Sequence, residues 1–169
     1  MTREDLTRRR NPETAESASV EPTGPDARLT RLAMAEGVAR LRALGDGGRG
    51  FLGLDPRTQN DALLTRILTD REAVLFGHGE TLLGAYQSTD NPRQAVVAVS
   101  GADPTGLAAL ARLLRVYRRH SSMVAITGPG DPALPALRAC RFREVGTLAG
   151  HHYRSGAYHD AVVHYAPVE

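Results

Sequence analysis

Residues 95–127 read AVVAVSGADPTGLAALARLLRVYRRHSSMVAIT, and the fold turns on how this stretch is read. Ala95–Val99 is continuously apolar, the pattern of a central strand covered on both faces. Helical periodicity then runs from about Pro104 to His120, with Leu107, Leu110, Ala111, Leu114 and Tyr117 on one face. Met123–Thr127 is a second short apolar run. A strand, a helix and a strand in this order form a βαβ unit, in which the two strands lie parallel and the helix covers them.

Working outward, the pattern is regular from Arg28. Leu29, Leu32, Ala33, Leu41 and Leu44 predict a first helix that ends at Gly45–Gly48. After the apolar segment Phe51–Leu54, a second helix opens at Asp55–Pro56, with Leu63, Leu64, Ile67 and Leu68 on one face. Ala73–Phe76 and Leu82–Gln87 read as a strand pair turning at His78–Gly79–Glu80. Downstream of the βαβ unit, a short helix from Asp131–Pro132 ends near Cys140. Thr147–Tyr153 and His159–Ala166 make a final strand pair around Ser155–Gly156. The expected architecture is a single α/β domain over 27–169, with a mixed central sheet and helices on both faces. Asp55–Pro56, Asp103–Pro104 and Asp131–Pro132 are each expected to start a helix. The carboxylate accepts from an orphan first-turn amide, and proline loses no bond at the first position.

Residues 1–26 are polar and rich in Pro, Ser, Thr and Glu. They read as a disordered tail, with a short edge strand as an alternative at Ala18–Glu21. The single cysteine, Cys140, excludes an intrachain disulfide framework and a multi-cysteine zinc site. No apolar leader or spanning segment is present, so a soluble, cytoplasmic protein without a membrane partner is expected. All 21 Lys+Arg residues are arginine, which excludes a lysine nucleophile or a phosphate-loop lysine. A net charge of only +2 and the absence of Trp argue against a nucleic-acid partner.

Two local motifs sharpen the picture. The run Ala133-Leu134-Pro135-Ala136-Leu137-Arg138-Ala139-Cys140-Arg141-Phe142 is a short helix ending just before a phenylalanine. It is followed by Tyr153-Arg154-Ser155-Gly156-Ala157-Tyr158-His159-Asp160 at a strand-pair turn. With the βαβ unit before them, residues 28–166 resemble the GCN5-related N-acetyltransferase (GNAT) superfamily. The resemblance implies acetyl-CoA or another acyl-CoA as cofactor, bound between splayed parallel strands. An amide near Val97–Val99 would polarise the thioester carbonyl. The pyrophosphate would rest on the helix start at Thr105, Gly106, Leu107 and Ala108. Arg112, with Arg115 and Arg119 on the polar face of that helix, reads either as a solvated face or as a contact for a ribose phosphate or an acidic partner. The implied reaction is direct transfer of an acetyl or small acyl group to a small-molecule amine or a protein amino group. A homodimer or protein partner is also implied.

The chain departs from the family pattern at two places. The phosphate signature Gln/Arg-x-x-Gly-x-Gly/Ala falls on Asp103-Pro104-Thr105-Gly106-Leu107-Ala108, with an aspartate in the first position. An N-cap aspartate supplies its own anion to the amides that a pyrophosphate would use. The tyrosine that often protonates the leaving thiolate falls on Leu137, which has no proton to give.

The remaining titratable residues concentrate near the C-terminus. His159 is a candidate base, because its ordinary pKa lies near neutrality. Asp160 would orient it or bind a cationic acceptor, and Tyr153 is an alternative acid. Each also has a structural reading, with Asp160 capping backbone amides and His159 half exposed in a turn. No metal site is expected, because neighbouring histidines alternate between strand faces. Cys140 reads as a packing residue. Two functions follow. An acyl-CoA-dependent N-acyltransferase requires an open cleft and free amides at Thr105–Leu107. A catalytically inactive binding or assembly protein of the same fold requires Asp103 bonded into its own helix start and a narrow cleft.

Overall fold

The computed structural model describes residues 28–168. The tail and the alternative strand at Ala18–Glu21 lie outside the described residues. The elements are β1 (Thr30–Arg31), α1 (Met34–Ala43), α2 (Asp61–Asp70), β2 (Val74–His78), β3 (Thr81–Gln87), β4 (Gln94–Val99), α3 (Pro104–Arg118), β5 (Ser122–Thr127), α4 (Leu134–Ala139), β6 (Arg143–Arg154) and β7 (Ala157–Pro167). Two 3₁₀ turns, Gly45–Gly48 and Phe51–Gly53, join α1 to α2.

The strands form one sheet in the order β1-β2-β3-β4-β5-β7-β6. Only β4 and β5 pair in parallel; the other neighbours are antiparallel. The sheet is therefore mixed, with the βαβ unit at its centre. Alternation along the strands separates two apolar layers. Phe76, Leu83, Ala95, Val97 and Val99 pack under α3 and α4, against Leu107, Leu110, Leu114 and Leu137. Leu75 and Leu82 face the other way, onto Leu41, Leu64, Leu68, Phe51 and Leu52. Helices thus cover both faces.

Several local expectations need correction. Leu29–Ala33 does not begin the first helix: Thr30–Arg31 adds an edge strand beside β2, and α1 starts at Met34. Asp55–Pro56 opens a turn, in which Arg57 N–H donates to Asp55 Oδ1 at 2.9 Å. Arg42 grips that turn by the Pro56 and Gln59 carbonyls, each at 2.8 Å. Helix α2 waits for Asn60, whose side chain caps Leu63 N–H at 2.9 Å. Asp131 likewise caps a turn at Ala133, and α4 begins at Leu134. Only Asp103–Pro104 marks a helix start as expected.

Strand β4 is buried at alternate residues rather than continuously. The buried stripe of α3 ends at Leu114: Tyr117 is still helical but 63 % exposed, and a left-handed Arg119 (φ 56°) ends the helix. His78 ends β2, and the turn is Gly79–Glu80 alone. The C-terminal hairpin is longer than expected, with β6 exposed over most of its length.

Candidate functional site

The parallel pairing of β4 and β5 covers only Gln94↔Ser122, Ala95↔Met123 and Val96↔Val124. Beyond these pairs the strands part. Val97–Val99 remain tied to β3, and Ala125–Thr127 to β7. A gap opens between the diverging strands.

That gap is nearly full. The space left between Val97–Val99 and Ala125–Thr127 is about 20 Å³, room for roughly one water. The filling comes from the 3₁₀ turn before α2 and from α4. Phe51 lines the gap from one side, and Ala133 and Leu137 from the other. The turn is firmly seated: Arg71 donates to the Leu52 carbonyl at 2.6 Å while its guanidinium stacks 5.1 Å from the Tyr86 ring. Gly84 lets the turn approach β3, since a Cβ there would stand 2.7 Å from Leu52 Cδ1 and 3.0 Å from Phe51 Cε1.

The helix start is also occupied. Gly106 N–H donates to Asp103 Oδ1 at 2.8 Å, and His78 Nδ1–H donates to Asp103 Oδ2 at 2.6 Å. Leu107 N–H bonds the Asp103 carbonyl at 3.1 Å. Partial burial pushes the Asp103 carboxyl up, but Gly106, His78 and Thr81 outweigh it and hold it below the usual carboxylate value. Gly106 has a local role: a Cβ there would press into the Asp103 carboxylate and come within 3.0 Å of His78 Nδ1. Its smallness makes room for a pair within the chain.

The residues present do not fit an acyl-CoA. A carboxylate bonded to a histidine occupies the helix start to which the sequence resemblance assigned a pyrophosphate, and the gap is far smaller than the ~300 Å³ at which ligand pockets begin. Of the residues assigned to the cofactor, Val97 and Val99 line the gap. Gly106 and Leu107 spend their amides on Asp103. Thr105 is exposed, and Ala108 and Arg112 face a different groove.

None of the three candidate catalytic residues lines the gap. Tyr153 is 63 % exposed and packs on Tyr158 with ring centroids 5.0 Å apart. His159 pairs with His152 across the hairpin. Asp160 accepts from Gly150 N–H at 2.8 Å, tying down a β6 irregularity between Leu148 and His152.

The polar groups near the gap are others. Asp131 lines it, and burial raises its carboxyl above the usual value despite bonds from the Ala133 and Gly128 amides. His164 is buried and shares a 2.8 Å hydrogen bond with Thr127 Oγ1; burial lowers its pKa. His152 lies close to Gly50 and Gly128, and burial lowers its pKa also. Sequence reading placed Asp131 only as a helix cap and His78 only as a turn residue. The His78–Asp103 pair was not legible from the sequence, because Asp103 lies in the loop after β4, beyond the last β3–β4 register pair at Val99.

No protein-family model matches the chain, and no curated protein matches it. Solved structures do share its fold. A spermidine N-acetyltransferase from Vibrio cholerae, in complex with CoA and spermine, superposes with a TM-score of 0.64 at 12% identity, covering 83% of this chain and 94% of that one. Mycobacterium smegmatis RimJ in complex with CoA-disulfide gives 0.59 at 16% identity, over 82% of this chain and 80% of that one. The crystal structure of a probable acetyltransferase gives 0.60 at 15% identity, over 81% of this chain and 91% of that one. At such identities the likeness establishes the α/β fold; activity is a matter for the site.

Proposed function

We propose that this chain is a catalytically inactive relative of the acyl-CoA-dependent N-acyltransferases, which keeps the fold as a binding or assembly module. One observation carries the reading: Asp103 is bonded both to Gly106 N–H, in its own helix start, and to His78. A pyrophosphate arriving there meets a carboxylate and loses an amide that a phosphate cradle needs. Leu137 in place of a proton donor and the filled gap agree with it. The lone cysteine, half-buried and free, suits a reducing, cytoplasmic setting.

A second reading is favoured by the parting of β4 and β5 beyond Val96 and Val124. It makes the chain an N-acyltransferase that moves an acetyl or small acyl group from acyl-CoA to an amine once Asp103 swings aside. The acceptor would be a small-molecule amine, as the spermine in one matched structure suggests, or a protein amino group.

Calorimetric titration of the full chain with acetyl-CoA separates the two. A ligand present at 100 times its dissociation constant stabilises the folded state by about 2.7 kcal/mol, so binding would show as heat and as a raised Tm. The inactive reading expects neither at millimolar ligand, and no thiol release with an amine panel. Binding with turnover would replace it by the transferase reading. In that case Asp103→Gln, which removes the competing anion, tightens binding.

A further inference from the structure

A second concavity lies away from the gap and shares no lining residue with it. It runs between α3 and the connection from α4 to β6, with a volume of about 950 Å³. Arg112 and Arg115 of α3 stand on one wall, and Arg138, Arg141 and Arg143 on the other. The floor is apolar, formed by residues such as Ala111, Met123, Phe142 and Val168, and among the described residues no Asp or Glu lines it. Val116, at the edge, is 57 % exposed.

The local chain path creates this arrangement. Phe142 N–H bonds the Leu137 carbonyl at 3.0 Å, and Arg141 N–H the Arg138 carbonyl at 3.1 Å, which closes α4 in a tight C-terminal turn. The turn drives Phe142 inward, 6 % exposed, and leaves Arg141 and Arg143 outside. Arg141 itself has φ 62°, a conformation glycine adopts at far less cost. A cation therefore stands where backbone geometry favours a residue without a side chain.

The net charge of the chain is only +2. Arg112, Arg115, Arg138 and Arg143 around one apolar groove are thus a local concentration and not a reflection of overall charge. Guanidinium groups pair with carboxylates in a planar, two-bond geometry. Because they stand on both walls, a single small anion reaches only some of them, and it leaves the apolar floor uncovered. An extended segment with several carboxylates and apolar side chains between them satisfies both. We propose that this groove docks an acidic, amphipathic peptide segment of a partner protein. The proposal deepens the binding-module reading by giving the partner's chemistry, and it rests on that reading for its biological use.

The test uses a short fluorescein-labelled peptide of alternating Glu and Leu, titrated with the full chain and followed by anisotropy. Saturable binding that weakens with salt is expected. Arg112→Glu with Arg138→Glu should weaken it by about tenfold or more. Arg57→Glu with Arg66→Glu, the same charge change away from the groove, should alter it by less than about twofold. If the reversed pair fails to fold, Arg112→Gln with Arg138→Gln replaces it and should still weaken binding. The only thiol, Cys140, lines the groove, so saturating peptide should slow its alkylation. Equal losses in groove and control variants, no protection of Cys140, or displacement of the peptide by adenosine 3′,5′-bisphosphate would each overturn the proposal. Acetyl-CoA calorimetry reads the β4–β5 gap, whereas peptide anisotropy reads the groove, so either reading can fail alone.

Discussion

His78 Nδ1 stands 2.6 Å from Asp103 Oδ2, and the other oxygen of the same carboxylate takes the Gly106 amide. One side chain thus links the end of β2 to the start of α3, across two intervening strands. Both residues are largely covered, with side-chain exposures of 21% and 14%. At this depth the pair matters more than an exposed ion pair, whose median worth is about 0–1 kcal/mol.

Asp103→Ala removes the cap and the carboxylate bonded to His78. A loss of about 1–3 kcal/mol is expected, read from urea midpoints at neutral pH. Asp103→Asn has a single oxygen acceptor for two donors, so its loss should fall between wild type and alanine. Equal stability of all three proteins would show that the pair does not hold α3 in place.

Gly106→Ala places a methyl group against the Asp103 carboxylate and His78. The pair must separate, and a destabilisation of about 1–3 kcal/mol is expected. Gly47→Ala is the control: its added Cβ meets nothing within 4 Å and no positive φ is involved. There the lower unfolded-state entropy should leave stability unchanged or slightly raised. Thermal melts of the two variants side by side decide the matter.

Asp103 and Asp131 should respond to acid in opposite senses. Asp103 has a folded pKa below its unfolded value of 3.8. Its stabilising contribution is present above that value and is lost as pH falls through the lower, folded one. Asp131 has a folded pKa above 3.8, chiefly from burial. The folded state binds that proton more tightly, so stability falls as pH rises from 3.8 through the raised value. Asp131→Asn keeps an acceptor for the Ala133 amide and should flatten this descending limb, whereas Asp103→Asn should blunt acid unfolding below it. Identical pH profiles for the two variants would contradict the assignment.

Much of the fold was legible because periodicity reports burial. The βαβ core, the β2–β3 hairpin and Asp103 at a helix start follow from apolar spacing and one capping signal. Asp55 and Asp131 misled because a carboxylate before a proline caps a tight turn as readily as a helix, and only the grip of Arg42 on the Pro56 and Gln59 carbonyls shows which. Tyr117 matched the helical stripe, but the stripe outran the core. The gap was legible as a place, between the strands at Ala95–Val99 and Met123–Thr127, and not as a volume. Its filling depends on Phe51, held in a 3₁₀ turn that contains a left-handed Leu52 (φ 50°), and no local pattern announces that. The groove at Arg112 and Arg138 joins α3 to the end of α4 and the turn after it, so only tertiary packing assembles it.

Leu137→Tyr restores a hydroxyl where the resembled family often carries its acid. The gap has room for about one water, and Leu137 is only 2 % exposed. A phenol there overpacks the junction of α4 with β4 and β5, and a loss of about 1–3 kcal/mol is expected. No acyl transfer should appear, because the Asp103 carboxylate stays in the helix start. Acetyl-CoA turnover by this variant with its stability intact would show that only the missing acid kept the chain silent.

Burial makes His164 harder to protonate; Glu144 and Asp131 oppose this and Arg138 adds to it, with a net lowering from 6.5. A depressed histidine pKa means the unfolded chain takes up a proton first, so stability falls as pH drops from 6.5 through the folded value. Thr127→Val removes the hydroxyl 2.8 Å from His164 Nε2, which leaves a buried nitrogen without a partner at a cost of about 1–3 kcal/mol. His164→Gln removes the titrating group, and the decline in stability just below pH 6.5 should become shallower than in wild type. Urea unfolding across that range checks both variants, and an unchanged slope in His164→Gln would place the titration on another residue.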